Sequence, residues 1–163
     1  MNAVQRAVQR VAASRPGAAF FRVTRVGAQD RLAYRLSGGR GTLTGAFAAF
    51  PTVFVTTRGA RSGRLHTVAL LAVSDPAKEG RIGLIASNFG QGHDPDWCRN
   101  LRASPEATVT GPGGGRYTAE EVAGPAYERW FELGSDLYLG YPGYRRRAGR
   151  HLPIFELTPA GGS

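Results

Sequence analysis

Two apolar runs flank an arginine- and glycine-rich turn in the stretch VFVTTRGARSGRLHTVALLAV, residues 53–73. The first run is β-branched and aromatic, which predicts a buried strand over Pro51–Thr57. The second run predicts another strand over Thr67–Ser74. Between them, the turn Arg58–Arg64 contains two glycines that let the backbone bend sharply. The stretch therefore predicts two antiparallel strands joined by a tight turn.

Further short elements follow this hairpin. A turn at residues 75–80 leads to a third strand over Arg81–Ser87, and the three strands together predict an antiparallel meander. Asp94 and Pro95 are typical of the N-cap and first turn of a helix. The other predicted elements are strands at Ala107–Val109, Arg116–Val122 and Leu152–Leu157, a helix over Pro125–Leu139, and an early helix over Asn2–Ala13. This succession predicts a mainly β, α+β fold, a small closed barrel with peripheral helices.

Length and composition favour a single basic domain over residues 1–163, with an N-terminal helix and extension at 1–45 and the barrel core at 46–163. The formal net charge is +9, which attracts anionic partners of any kind. Cys98 is the only cysteine in the sequence, which excludes an intrachain disulfide and a cysteine metal cluster. The chain shows neither a secretory signal nor an apolar run of membrane-spanning length, so we expect a cytoplasmic protein.

The turn carries the chemistry of an anion site. Its backbone N–H groups can converge on an anion, Ser62 adds a hydroxyl donor, and Arg58, Arg61 and Arg64 supply charge-assisted bonds to phosphate or carboxylate. Taken alone, the turn also fits a solvated hairpin whose arginines serve solubility. It is not a P-loop, because it lacks the Gly-Lys-[Ser/Thr] ending.

Four further motifs follow in order: IASN at residues 85–88, DPDWCRNLRASP at 94–105, YLGYPGY at 138–144 and RHLPIF at 150–155. Together with the turn, this succession resembles the deazaflavin-dependent nitroreductase family, a branch of the split β-barrel flavoproteins, from about Val53 to Pro159. The resemblance implies an FMN-binding-like split β-barrel with peripheral helices. It also implies an oxidoreductase that transfers a hydride from reduced coenzyme F-420, an 8-hydroxy-5-deazaflavin, to a quinone or nitroaromatic acceptor.

The resemblance also implies roles for individual residues. The turn would hold the phosphate region, the next strand would lie along the coenzyme, the Ala-Ser pair would lie near its ring, and the tryptophan helix would close the cleft. The coenzyme-binding residues so implied are Thr57, Arg61, Ser62, Gly63, Arg64, His66, Thr67, Val68, Ala86, Ser87, Asn88, Trp97 and Asn100. The acceptor side, with proton delivery or hydrogen bonding to the developing anion, is assigned to Tyr138, Tyr141, Tyr144 and Ser87, where Pro142 and Gly143 favour a loop.

The chain departs from the family pattern at a few positions. The family usually has arginine where His66 stands, which makes one anion contact pH-dependent here. It usually has proline at Ala69 and often an aromatic residue at Cys98. His93 and His151 stand alone, without a second ligand at metal spacing, so no metal site is expected.

Two alternatives stay open at this point. A neighbouring branch of the same superfamily binds FMN with similar phosphate contacts. A basic barrel could instead bind an anionic lipid or nucleic acid without catalysis, although an aromatic platform for single strands is missing, and no nucleic-acid partner is expected. The N-terminal helix either lies weakly on a membrane surface or packs on the barrel. Neither the oligomeric state nor the physiological acceptor follows from the sequence.

Overall fold

The computed structural model describes residues 51–161, so the helix predicted over Asn2–Ala13 and the extension to residue 45 lie outside the described residues. This described part contains three helices, α1 (Asp96–Ala103), α2 (Gly124–Leu137) and α3 (Tyr141–Ala148), with a 3-10 turn at Asn88–Gly90. The strands are β1 (Thr52–Arg58), β2 (Leu65–Leu71), β3 (Val73–Ser74), β4 (Ile82–Ile85), β5 (Glu106–Thr110), β6 (Gly115–Glu121) and β7 (Ile154–Pro159). Within 51–161, every helix is too short or too polar to cross a bilayer.

The seven strands between residues 51 and 161 form one antiparallel sheet in the order β2-β1-β5-β6-β7-β4-β3. The predicted hairpin is confirmed, because β1 pairs with β2 from Thr52–Leu71 to Arg58–Leu65. The predicted pairing of the second and third runs is confirmed only at the end of the second run, where β3 pairs antiparallel with β4. β2 does not pair with β4, and the other neighbour of β4 is β7. The second apolar run serves two strands, with a break at Ala72.

This break explains the barrel. β2 and β3 occupy opposite edges of the sheet, yet Ala72 alone separates them in the chain. The Ala72 N–H donates to the carbonyl of Pro51 at 2.8 Å, which anchors the crossing point to the start of β1. The sheet must therefore curl until its two edges approach each other, and the predicted split β-barrel is confirmed.

Alternate strand residues face two separate cores, because side chains point to opposite faces in turn. Leu84 and Phe155 face the inner core, enclosed by the curled sheet, whereas Ile85 and Ile154 face the outer core. The inner core also includes Val53, Val55, Trp97, Cys98, Leu101, Val109, Tyr117 and Leu157. The outer core is covered by α2 and α3 and includes Val73, Tyr127, Trp130, Tyr138, Tyr141, Tyr144 and Leu152.

Two local predictions are wrong. Asp94 does not cap α1: Pro95 occupies the N-cap position, and the Asp94 carboxylate instead accepts from Arg102 at 2.8 Å and Arg150 at 2.7 Å. The segment around Pro142 is not a loop but the first turn of α3. Proline fits there because the first turn leaves its backbone nitrogen without an intrahelical acceptor.

Candidate functional site

A cleft of about 500 Å³ opens at the end of the inner core, between the turn after β1, the beginning of β2 and the first turns of α1. The inner-facing row Val53, Val55 of β1 ends there with Thr57, which pairs with His66 of β2. The lining residues of this cofactor cleft are Thr57, Gly59, Ala60, Arg61, Ser62, His66, Thr67, Val68, Pro95, Asp96, Trp97, Arg99 and Asn100.

Backbone hydrogen bonds fix the shape of the turn. The Gly59 N–H donates to the Arg64 carbonyl at 2.7 Å, and the Gly63 N–H donates to the Gly59 carbonyl at 2.8 Å. Gly63 has φ 66°, a left-handed conformation that favours glycine. Arg58 closes the turn from outside by donating its Nη1 to the Gly63 carbonyl at 3.0 Å. Of the turn arginines, Arg58 thus has a structural role, and the turn is held rigid before any ligand arrives.

Gly59 makes room for two polar side chains at the mouth of the cleft. Ser62 Oγ lies 3.2 Å from His66 Nε2, and the Arg64 N–H donates to the same hydroxyl at 3.3 Å. A Cβ atom at Gly59 would lie 2.6 Å from Ser62 Oγ and 3.0 Å from the His66 ring. A larger residue would therefore displace this hydroxyl–imidazole pair.

Asn100 joins the turn to α1. Its Oδ1 accepts from the Ala60 N–H at 3.0 Å, and its Nδ2 donates to Thr57 Oγ1 at 3.0 Å. Asn100 is 7% exposed and Thr57 1%, and burying such groups without partners would be costly. Both ends of the carboxamide are engaged within the protein, so Asn100 sets the separation of the two cleft walls.

The floor of the cleft is apolar. Trp97 is buried and packs edge-on against Phe155 of the inner core, with ring centroids 5.7 Å apart. Cys98, the next residue of α1, points into the same core, and burial raises the pKa of its thiol to about 12. The thiol therefore stays protonated at neutral pH and packs as a small apolar side chain.

The rim of the cleft is basic. Arg61 on the turn and Arg99 on α1 both line it, and both residues are exposed. The acidic residue among the lining residues is Asp96, whose side chain is 92% exposed and lies 3.5 Å from Arg99 Nη1. Hydroxyl, imidazole and guanidinium donors thus surround an opening above an aromatic floor, a donor set that suits a ligand with an anionic tail and a planar ring.

The tyrosines lie elsewhere, in the outer core. Tyr138, Tyr141 and Tyr144 are between 3% and 6% exposed. The hydroxyls of Tyr138 and Tyr144 are 2.8 Å apart, and the Tyr141 ring packs edge-on against Tyr138 with centroids 5.4 Å apart. Burial, the largest cause in each case, raises the pKa of all three phenols, so they remain protonated at neutral pH.

A strained loop connects the tyrosines to the cleft. Asn88 and Phe89 have φ values of 44° and 54°, which is uncommon for residues other than glycine. The Phe89 ring meets Tyr144 edge-on at 6.3 Å, and the loop then runs to Pro95 at the cleft. Arg150 holds it in place by donating to the carbonyls of Ala86 and Gln91, each at 3.0 Å, and to Asp94.

The cleft brings together most of the coenzyme-binding residues implied by the sequence: Thr57, Arg61, Ser62, His66, Thr67, Val68, Trp97 and Asn100. Gly63 and Arg64 belong to the turn but do not line the cleft. Ala86 is buried in the inner core, while Ser87 and Asn88 begin the strained loop on the tyrosine side. Sequence reasoning missed Gly59, Ala60, Pro95, Asp96 and Arg99, although all five flank residues that it named.

Comparisons with known proteins show which family this chain belongs to. Residues 28–159 match the family model of the F420H(2)-dependent quinone reductases. The chain belongs to this family. An F420H(2)-dependent quinone reductase of Mycobacterium tuberculosis is 28% identical over 137 residues, which cover 81% of this chain and 83% of the relative. The predicted oxidoreductase activity, with coenzyme F-420 as hydride donor and a quinone-type acceptor, is confirmed by the family.

Two solved structures have a similar fold to this quinone reductase. A structure of an F420-H2 dependent reductase, FDR-A, has a TM-score of 0.58 and 31% identity, covering 66% of this chain and 94% of that one. A structure described as a domain-swapped dimer has a TM-score of 0.62 and 30% identity, covering 78% of this chain and 96% of that one. In the FDR-A comparison the matched part is nearly the whole of the solved chain, so the two proteins share the barrel fold.

Proposed function

We propose that this quinone reductase holds coenzyme F-420 in the cofactor cleft, with Arg61, Ser62 and His66 on the phosphate of its tail. The observation that carries the proposal is the Asn100 link, which fixes these donors and the Trp97 floor around one opening of about 500 Å³. This volume is within the range of small-molecule sites. Thr57, Thr67, Val68 and Asn100 would line the rest of the bound coenzyme.

The bound reduced coenzyme supplies the hydride, and the protein positions it and manages charge and protons. The acceptor gains negative charge as the hydride arrives, and a protonated phenol can donate to it. Tyr138, Tyr141, Tyr144 and Ser87 are our candidates for this donor. The Tyr138–Tyr144 hydroxyl pair supports the proposal, because the two phenols can pass a proton between them over 2.8 Å.

Titration of the purified protein with coenzyme F-420, FMN and FAD tests the proposal. We expect F-420 to bind most tightly, and binding to weaken as salt rises, because the rim is basic and exposed. FMN binding that equals or exceeds F-420 binding would favour the flavin-dependent alternative. Steeply salt-dependent binding of polyanions without redox activity would favour the non-catalytic binder.

The proposal extends to the range of acceptors, the extent of the domain and the location of the protein. Nitroaromatic compounds join quinones as proposed acceptors, since both take a hydride and develop charge on oxygen. We propose a single domain whose core spans 46–163 and a cytoplasmic location, with the N-terminal helix as the segment that would touch a membrane surface. The dimeric relative makes size-exclusion chromatography of the full chain the direct measurement of oligomeric state.

A further inference from the structure

Arg99 is the basic residue of the cleft to which the sequence analysis assigned no role, although it lies within the motif at residues 94–105. It lies on α1, on the wall that faces the turn. Its side chain is 49% exposed, and its ion pair with Asp96, three residues earlier on the same helix, is long at 3.5 Å. Because Asp96 is 92% exposed, solvent screens this pair and it stabilises the fold little.

Arg102, three residues further along α1, shows what a structural arginine looks like in the same helix. Its Nε and Nη2 donate to Glu121 at 2.6 and 2.8 Å, and its Nη1 donates to Asp94 at 2.8 Å. Its guanidinium is thus engaged by two carboxylates in short bonds. Arg99 has the same charge on the same helix, yet it makes no bond of that kind among the described residues and lines the cleft instead.

The position of Arg99 is fixed relative to the turn. The bond from the Ala60 N–H to Asn100 Oδ1 links the two walls. Arg61 directly follows Ala60, and Arg99 directly precedes Asn100. Both arginines line the cleft from the two walls that this part-buried bond joins, so a ligand that occupies the cleft meets a cationic residue on each wall.

We propose that Arg99 is a specificity-determining residue that binds a second anionic group of the ligand, a carboxylate of the coenzyme tail, while Arg61 binds the phosphate. This inference rests on the proposed function. The physical reason is that a guanidinium without a strong internal partner gains a charge-assisted bond when a carboxylate arrives. The cleft then selects ligands with two separated anionic groups over ligands that carry a phosphate alone.

The test compares Arg99→Gln with Arg146→Gln, which removes the same charge from an exposed position on α3. Dissociation constants are measured for coenzyme F-420 and for a deazaflavin that has the phosphate but lacks the tail carboxylates. We expect Arg99→Gln to weaken F-420 binding by about tenfold or more, as one charge-assisted bond would, and to weaken binding of the shorter ligand less than twofold. Arg146→Gln should leave both constants unchanged.

A double-mutant cycle with Asp96→Asn separates local contact from general charge. Asp96→Asn should tighten F-420 binding in the wild type, because it releases Arg99, and should do so less in the Arg99→Gln background. The inference is overturned if Arg99→Gln binds F-420 normally, or if it weakens both ligands equally. If the wild type itself does not bind F-420, the proposed function fails instead, and circular dichroism of each variant shows whether folding is the cause.

Discussion

The cleft rim and the outer core both concentrate polar side chains, but they treat them in opposite ways. On the rim, Arg61, Ser62 and His66 are exposed, and the hydrogen bonds between Ser62, His66 and the Arg64 N–H are exposed as well. In the outer core, the carboxylates of Glu156 and Asp75 are buried and paired with basic side chains of the protein. This difference separates rim side chains that a ligand can reach directly from buried carboxylates that hold the structure.

Glu156 illustrates the second kind. Its carboxylate accepts from Lys78 at 2.6 Å, Arg81 at 2.5 Å and the Trp130 indole at 2.7 Å. Burial alone would raise the pKa of Glu156, but these donors outweigh burial and hold its pKa at about 2. The carboxylate of Asp75 accepts from Nε and Nη2 of Arg129, each at 2.6 Å. These two bonds are the main reason why the pKa of Asp75 is lowered to about 2.

The largest difference between the two regions is expected in the free energy of unfolding, when an aromatic ring of the outer core is removed. Tyr141→Ala should lower the free energy of unfolding by roughly 3–5 kcal/mol, since truncating a buried aromatic leaves a cavity. Arg61→Ala should change it by less than about 0.5 kcal/mol, as for other exposed positions. Urea denaturation of both variants measures the contrast. A large destabilisation by Arg61→Ala would mean that the rim is structural.

Low pH should lower the stability of the protein mainly through the paired carboxylates of the outer core, Asp75 and Glu156. Both carboxylates have folded pKa values of about 2, below the ordinary values of 3.8 for Asp75 and 4.5 for Glu156. Their stabilising contribution is therefore complete above about pH 4.5 and is lost as the pH falls towards 2, because the unfolded state then binds more protons. Denaturant unfolding between pH 7 and 2 checks this, and Glu156→Gln should flatten the decline. An equally steep decline in that variant would assign the effect to other groups.

On the cleft side, two arginines of the turn, Arg61 and Arg64, are expected to differ in their contribution to F-420 binding. Arg61→Ala should weaken F-420 binding by roughly 1.5–3 kcal/mol, the contribution of a hydrogen bond to a charged group. Arg64→Ala should have a clearly smaller effect, because Arg64 does not line the cleft. Fluorescence titration at low and moderate salt measures both. Normal binding by both variants would leave the turn as a solvated hairpin.

The smallest expected effect concerns the phenols. Tyr144→Phe keeps the ring and removes a hydroxyl that lies 2.8 Å from that of Tyr138. If the phenol donates to the acceptor in the transition state, kcat should fall by the equivalent of about 0.5–1.5 kcal/mol while F-420 affinity is kept. Steady-state kinetics of Phe variants at Tyr138, Tyr141 and Tyr144 provide the comparison. Wild-type turnover in all three would show that the tyrosines only pack and that Ser87 or water delivers the proton.

Local pattern was enough to predict the hairpin and the turn. The β-branched run and the paired glycines are near in sequence, and strand pairing across a tight turn depends on little else. The helices α1 and α2 were also predicted within a few residues of their observed bounds. The break of the second run into β2 and β3, and the pairing of β4 with β7, were not predicted. Both depend on how the whole sheet curls, which is decided by contacts between residues far apart in the chain.

The sequence by itself determined the split barrel, the family and the set of residues around the turn, because glycine position, arginine content and motif order are local properties. Tertiary structure alone decided which of two arginines on α1 is available to a ligand. Arg99 and Arg102 are both ordinary helix arginines in the sequence, but Glu121 on β6 and Asp94 pair with Arg102 and not with Arg99. That distinction arises when strands and helices are packed together, because a guanidinium becomes structural only where folding brings a carboxylate within reach.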